Sequence, residues 1–132
     1  MSYAAARALQ EAVFARLSAE PGLAGRVFDH VPHGDGPGAV SGLHVTLGDE
    51  RVEAWGARGL EGAVHEIEIG VHGPEDGFAQ VKDAAAAVVA ALEGPLAPAA
   101  GRVVTAGFLG ARARRVAGGR RIDLRFRFRI EM

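Results

Sequence analysis

Residues 120–130, Arg-Arg-Ile-Asp-Leu-Arg-Phe-Arg-Phe-Arg-Ile, alternate polar and apolar side chains from Arg121 to Ile130. A period of two residues predicts a β-strand, because successive side chains of a strand point to opposite faces of the sheet. The side expected in the core consists of Ile122, Leu124, Phe126, Phe128 and Ile130. The opposite side carries Arg121, Asp123, Arg125, Arg127 and Arg129. Because like charges repel, this row of arginines is expected to have acidic groups beside it.

Length and composition indicate one globular domain spanning residues 1–132. The chain has 132 residues, of which 48% are hydrophobic and 23% charged, enough for a sizeable core. Cysteine is absent, which excludes disulfides and a thiolate nucleophile. Neither an apolar run of about eighteen residues nor a signal-like leader is present. We therefore expect a soluble, intracellular protein that does not bind membranes.

The charge is divided unevenly along the chain. Residues 1–100 hold six basic and fourteen acidic side chains, whereas residues 101–132 hold nine basic and two acidic ones. Such asymmetry is typical of nucleic-acid binding or of a protein that associates head to tail. It is equally compatible with two charged sets that neighbour each other within one fold.

Two helices are predicted from the 3.6-residue period. The first runs from about Tyr3 to Ala19 with Ser2 as its N-cap, and the second from about Gly77 to Glu93. The buried stripe of the first is Tyr3, Ala6, Leu9, Val13, Phe14 and Leu17, and its outward residues are Arg7, Gln10, Glu11 and Arg16. The second is buried through Phe78, Val81, Ala85, Val88 and Leu92.

Six strands are predicted, with one long connection among them. The strands are 26–30, 43–47, 64–72, 102–108, 111–116 and the arginine strand, which follows a hairpin turn at 117–119. Residues 48–62 show neither period and are interpreted as a charged loop carrying Trp55, the only tryptophan. The order α-β-β-β-α-β-β-β predicts an α+β two-layer sandwich: a mostly antiparallel sheet with two helices on one face.

No pattern indicates a cofactor or a metal. The glycines at 34–39 match a dinucleotide fingerprint formally, but a strand follows them instead of a helix. His30 and His33 straddle a proline, and the odd spacing of His65 and His72 sends them to opposite faces of a strand. We therefore predict no cofactor and no metal.

No pattern indicates an enzyme either. No serine lies in a G-x-S-x-G elbow. Asp49 and Glu50 belong to the charged connection, while Glu66 and Glu68 share a strand face, where neighbouring arginines would keep both ionised. We therefore predict that the protein is not an enzyme.

The arginine face leaves three interpretations open. It could contact nucleic-acid phosphates, although its aromatic residues belong to the core side instead of alternating with exposed arginines. It could be an open sheet face on which Glu66 and Glu68 neutralise the arginines. It could also line an interface or lumen of a closed oligomer.

Several segments, taken in order, resemble a known family. They are residues 8–13 (Ala-Leu-Gln-Glu-Ala-Val), 26–32 (Arg-Val-Phe-Asp-His-Val-Pro), 47–49 (Leu-Gly-Asp), the tryptophan connection with 65–69 (His-Glu-Ile-Glu-Ile), and the closing hairpin. They resemble the tail-completion or tail-terminator proteins of long-tailed phages and the related proteins of gene transfer agents.

The resemblance implies a structural role and a set of partners. Such proteins form a hexameric ring that caps the tail tube protein and presents a surface to the head–tail connector protein, while double-stranded DNA passes through the lumen without specific binding. It implies a virion or phage-like particle, assembled in the cytoplasm, of either phage or gene transfer agent origin. The family fold, a small sheet with two helices, agrees with the prediction above.

Site residues follow as expectations from the resemblance and the charge pattern. The residues expected at a subunit or tube interface are Asp49, Glu50, Arg51, Glu53, Trp55 and Arg58. The basic face, at an interface or the lumen, is Arg121, Arg125, Arg127 and Arg129, with Glu66 and Glu68 as cross-strand partners. Trp55 is either an anchor for a neighbour or folded onto its own domain. The rival functions are a standalone nucleic-acid-binding domain and a small enzyme or ligand-binding sandwich.

Overall fold

The computed structural model describes residues 3–29, 42–55 and 61–132. Two helices, a short 3-10 turn and five strands follow one another along the chain. They are α1 (Ala6–Ser18), the 3-10 turn (Pro21–Leu23), β1 (Val27–Phe28), β2 (His44–Trp55), β3 (Gly62–Pro74), α2 (Phe78–Glu93), β4 (Arg102–Val116) and β5 (Gly119–Glu131). The predictions for Ser2, His30, His33, Arg58 and the glycine loop at 34–39 concern residues outside the described part of the chain.

The five strands form one sheet in the order β1-β2-β3-β5-β4. Among the described strands, only the short β1–β2 pair is parallel, and the remaining pairs are antiparallel. The arginine strand, β5, therefore lies in the interior of the sheet with a partner on each side. This agrees with the predicted α+β sandwich, in which helices cover one face of a mostly antiparallel sheet.

The alternation in β5 sorts its side chains as predicted. Phe126 and Phe128 are 2% and 1% exposed, and Ile122, Leu124 and Ile130 are buried with them. Because β3 pairs with β5 in register, Ile67, Ile69 and Val71 reach the same face and join the same core. The other face of both strands is polar.

The helices pack on this apolar face. Leu9, Val13 and Leu17 of α1 and Val81 and Val88 of α2 are fully buried. Two expectations for α1 are corrected. Tyr3 precedes the helix and is 65% exposed, so it does not belong to the buried stripe. Arg16 does not face away, because its guanidinium donates to the carbonyls of Ala91 and Pro95 at the C-terminal end of α2, where a cation is favourable.

The predicted loop at 48–62 is wrong over its first half. Residues 48–55 continue β2 and pair with β3 as far as Trp55 opposite Gly62. The register shifts between Leu47 and Glu50, where β2 advances three residues while β3 advances two. One extra residue of this kind is a β-bulge. It interrupts the period of two, so the alternation in the sequence no longer predicts a strand. Residues 56–60 lie outside the described part of the chain.

Three strand boundaries also differ from expectation. The strand predicted at 26–30 is only Val27–Phe28. The strands predicted at 102–108 and 111–116 are one continuous strand, β4, whose register against β5 shifts between Phe108 and Gly110. A second bulge thus explains the apparent break. The hairpin turn before β5 is confirmed, and Gly118 has a φ of 75°, a left-handed conformation that favours glycine.

Candidate assembly surface

The face of the sheet opposite the helices is open and strongly charged. No described helix covers it, and the strand register assigns it eight arginines and five carboxylates. They are Arg51, Arg102, Arg112, Arg114, Arg121, Arg125, Arg127 and Arg129, with Glu53, Glu66, Glu68, Asp123 and Glu131. We call this set the open face. It is basic overall.

The predicted partners Glu66 and Glu68 lie among the arginines of this face. Glu66 is opposite Arg127 in register, and their charged groups are 3.9 Å apart. Glu68 is opposite Arg125 in register but lies 3.9 Å from the guanidinium of Arg121. At this distance, with half-exposed side chains, each pair contributes little to stability. The acidic groups therefore offset part of the repulsion without neutralising the face.

Asp123, which the sequence places in the arginine row, is the best-paired carboxylate of the face. Its two oxygens lie 2.7 Å from Arg121 and 3.2 Å from Arg114, and the Asp123 side chain is 12% exposed. Arg114 comes from β4, so this carboxylate connects the open faces of two adjacent strands. It fixes the two guanidinium groups at one end of the face.

Beside this cluster lies a concavity of about 480 Å³. Arg112, Arg114 and Arg125 line it, together with Glu68 and Asp123. Within the described residues, neither Arg112 nor Arg125 has a salt bridge. An anionic group or an acidic protein surface is the chemical complement of this concavity.

Trp55 packs on its own domain. The Arg129 guanidinium lies 4.6 Å from the centre of the Trp55 ring, a cation–π contact. On the other side, a Cβ placed at Gly62 would come within 2.9 Å of the ring, so the indole fits closely over that glycine. Of the two interpretations of Trp55, an anchor for a neighbour or a side chain folded onto its own domain, the geometry favours the second.

The remaining residues expected at an interface do not share one surface. Arg51 and Glu53 lie on the open face and are joined by a 2.8 Å salt bridge. Glu50 lies on the helix face, because the bulge reverses its orientation relative to the simple period of two. Its carboxylate is 3.5 Å from Nδ1 of His65. Asp49 lies in the bulge between these two sets.

His65 and His72 lie on opposite faces, as their spacing predicts. His65 is fully buried, and neither of its ring nitrogens has a hydrogen-bond partner in the described structure. His72, on the open face, stacks on His44 and lies 2.9 Å from Oγ1 of Thr46. Burial first, and then the neighbouring His44 and Arg121, lower the pKa of His72 from 6.5 to about 4. Among the described residues, no three potential ligands cluster to hold a metal ion.

Comparison with known proteins identifies the family. Residues 11–131 match the model of the family described as tail completion protein gp17. The chain belongs to this family. A chain in the solved virion of a native gene transfer agent (GTA) particle is 46% identical to it. That likeness covers 99% of this chain and 100% of the other, with a TM-score of 0.88. No curated protein sequence matches.

Membership of the tail completion family makes this a structural protein of a phage-like particle. It accounts for the absence of a catalytic signature among the residues weighed above. No helix in the described residues combines the length and apolarity needed to cross a bilayer. Sequence analysis predicted two strands at 102–108 and 111–116 but did not predict that they form one exposed strand, β4, at the edge of the sheet.

Proposed function

We propose that this family member forms a hexameric ring that caps the tail tube and joins it to the head connector. The match of residues 11–131 to the tail completion family is the observation that carries the proposal. The similarity to a chain of a gene transfer agent virion over its whole length supports it. The work of such a protein is geometric, and no bond is made or broken.

The proposed mechanism depends on two different ring faces. One ring face copies the last layer of the tube and docks on it. The other lacks the edge that a further tube subunit needs, so polymerisation stops there and the head connector binds. A closed ring of identical chains requires two complementary surfaces on each subunit. The acidic first hundred residues and the basic last thirty-two supply charges of opposite sign.

We further propose that double-stranded DNA passes through the ring without sequence-specific binding. The arginines of the open face can contact phosphates, which carry no sequence information. Trp55, the one tryptophan, is engaged by Arg129 instead of standing free to stack on a base. The open face therefore suits a path for DNA better than a site for holding it.

Removing the gene from the producing cells tests the proposed function directly. Electron microscopy should show tubes without heads and with a broad distribution of lengths, and expression of the unaltered chain should restore joined particles of uniform length. Tails of normal length that carry heads in the absence of the protein would contradict both the capping and the joining role.

The rival function, a standalone nucleic-acid-binding domain, is favoured by the unpaired arginines of the open face. It predicts salt-dependent DNA binding by the isolated chain, weakened by Arg125→Gln and left unchanged by Arg115→Gln, which alters an arginine on the opposite face of the sheet. The ring proposal predicts only weak binding, equally reduced by both substitutions, because isolated subunits contribute charge alone. Fluorescence anisotropy with a DNA duplex at two salt concentrations distinguishes the two.

A further inference from the structure

Strand β4 is an unusually long edge for a small soluble domain. It runs for fifteen residues, from Arg102 to Val116, at the end of the sheet, and none of its residues is buried. At roughly 3.4 Å per residue it extends about 50 Å. One side of its backbone faces β5, and no described strand pairs with the other. An edge of this length is a template for pairing with another chain unless it is covered.

The exposed apolar side chains of the protein concentrate on this strand. Of the six large hydrophobic residues exposed in the described structure, four lie on β4. They are Val104, Phe108, Leu109 and Val116, which are 37–46% exposed. Four large apolar side chains exposed along a single strand point to that strand as an interaction site.

The opposite edge of the sheet offers a matching strand. There, β1 pairs only with Val45 and Thr46 of β2. From Leu47 to Trp55, β2 has β3 on one side and no described strand on the other. Among the described residues, the sheet thus has one unpaired edge segment at each end.

The two free edges carry opposite charge. β4 contains four arginines and no acidic residue, whereas β2 contains three carboxylates and one arginine. Two β4 strands brought together would place eight arginines at one contact. Attraction between the two different edges, and repulsion between like edges, favours head-to-tail association of identical copies.

Strand direction allows this contact to be regular. Each strand from β2 through β3 and β5 to β4 is antiparallel to the next, so β4 runs opposite to β2. Rotation about a ring axis lying roughly along the strands preserves their direction. β4 of one subunit and β2 of the next would therefore pair antiparallel. The bulges in both strands permit the bending that closure of a barrel requires.

We propose that β4 pairs with the 47–55 segment of β2 in a second copy of this chain, so that the subunit sheets join into one barrel inside the ring. This rests on the proposed ring. The helices, which need more room, lie on the outside of the barrel, and the open face with Arg125 and Arg127 lines the lumen. The same contact covers the apolar residues of β4.

Crosslinking tests the pairing, because the natural chain has no cysteine. Gly107→Cys places a thiol on β4 where an added Cβ meets no atom within 4 Å, and Glu53→Cys places one on the exposed half of β2. Arg51→Cys, two residues away on the same face of β2, repeats the test for a different register between β4 of one subunit and β2 of the next. Particles assembled from a mixture of β4 and β2 variants, treated with a short bismaleimide, should yield linked dimers. Particles containing either variant alone should not.

The controls separate this inference from the proposed function. Ala86→Cys, on the exposed side of α2, should give no linked dimer with either partner. Dimers from Gly107→Cys alone, or no dimers from mixtures in particles that contain the protein, would overturn the pairing while leaving the capping role intact. Absence of the protein from purified particles would overturn the proposed function itself.

A second variant tests the apolar edge without relying on crosslinks. Leu109→Lys, on an exposed side chain, should leave the isolated chain folded by circular dichroism yet abolish its incorporation into particles. Ala86→Lys adds the same charge on α2 and should be incorporated normally. Normal incorporation of Leu109→Lys would contradict the proposal.

Discussion

Strands β4 and β5 are the two arms of one hairpin, yet their side chains have different environments. They are fifteen and thirteen residues long and pair along their whole length. β5 buries every second side chain beneath the helices, whereas β4 buries none. The difference comes from position: β5 has a strand on each side and lies beneath the helices, whereas β4 lies at the edge of the sheet, where Val103 is only partly buried against the core. A strand at the centre builds the core, and its neighbour at the edge is left available for assembly.

The largest test of this contrast compares one phenylalanine from each strand. Phe128→Ala removes a ring that is 1% exposed, and we expect it to lower the free energy of unfolding by about 3–5 kcal/mol. Phe108→Ala removes a ring that is 46% exposed and should cost less than about 1 kcal/mol. Urea denaturation of the isolated chain measures both. Equal losses would mean that Phe108 is also a core residue.

A pair of glycines sharpens the same contrast. A Cβ at Gly119 of β5 would lie 2.6 Å from the carbonyl oxygen of Gly73, a backbone atom that cannot move aside cheaply. Gly119→Ala should therefore destabilise the fold by about 1–3 kcal/mol. Gly107→Ala on β4 meets no atom within 4 Å and should change stability by no more than about 1 kcal/mol. Thermal unfolding of the two variants should rank them in this order, and the reverse order would refute the assigned environments.

His72 provides a pH test of the open face, where it is opposite Arg121 of β5. Its folded-state pKa of about 4 lies below the ordinary 6.5, so below pH 6.5 the unfolded chain binds a proton that the folded chain does not. The lowered pKa of His72 therefore leaves the free energy of unfolding at its full value above pH 6.5. That free energy decreases as the pH falls toward 4. Because the ring is only partly buried, we expect a loss of about 1 kcal/mol.

His72→Gln should flatten this part of the stability profile. The measurement is urea denaturation of both chains at several pH values between 7 and 4, and the difference between the two profiles isolates His72 from other groups that titrate. Parallel profiles over that range would show that His72 does not titrate differently in the folded state.

The smallest expected effect is that of an arginine on the open face of β5. Arg127→Ala removes the ion pair in which the Arg127 guanidinium lies 3.9 Å from the Glu66 carboxylate. The free energy of unfolding should change by no more than about 0.5 kcal/mol. Because the side chain is proposed to face the lumen, the variant should still enter particles. A large loss of stability would mean that Arg127 stabilises the fold, contrary to its assignment to the surface proposed to line the lumen.

The period of two predicts β5, and the 3.6-residue period predicts the extent of α2, because in both elements one face is buried without interruption. The same logic fails where a bulge inserts a residue. The shift after Leu47 hid the second half of β2, and the shift after Phe108 divided β4. A local pattern also cannot reveal that β4 lies at the edge, since that depends on which strands it meets.

The candidate surface was only partly predictable for the same reason. Alternate residues of a strand share a face, so the sequence alone predicts that Glu66 and Glu68 lie on one face of their strand and Arg125 and Arg127 on one face of theirs. Pairing of the two strands in register then brings these residues together. The same alternation predicts the wrong face for Glu50, because the bulge turns its side chain toward the helices and His65. The packing of Trp55 between Gly62 and Arg129 depends on contacts between three strands, which no single segment specifies.

Hydrogen exchange of the β4 amides tests the central claim most directly, by comparing the isolated chain with assembled particles. In the isolated chain, amides of β5 should exchange slowly throughout, while those β4 amides that point away from β5 should exchange rapidly. In particles, the account predicts that the β4 amides become as protected as those of β5, together with amides of residues 47–55. Rapid exchange of β4 in particles that contain the protein would contradict it.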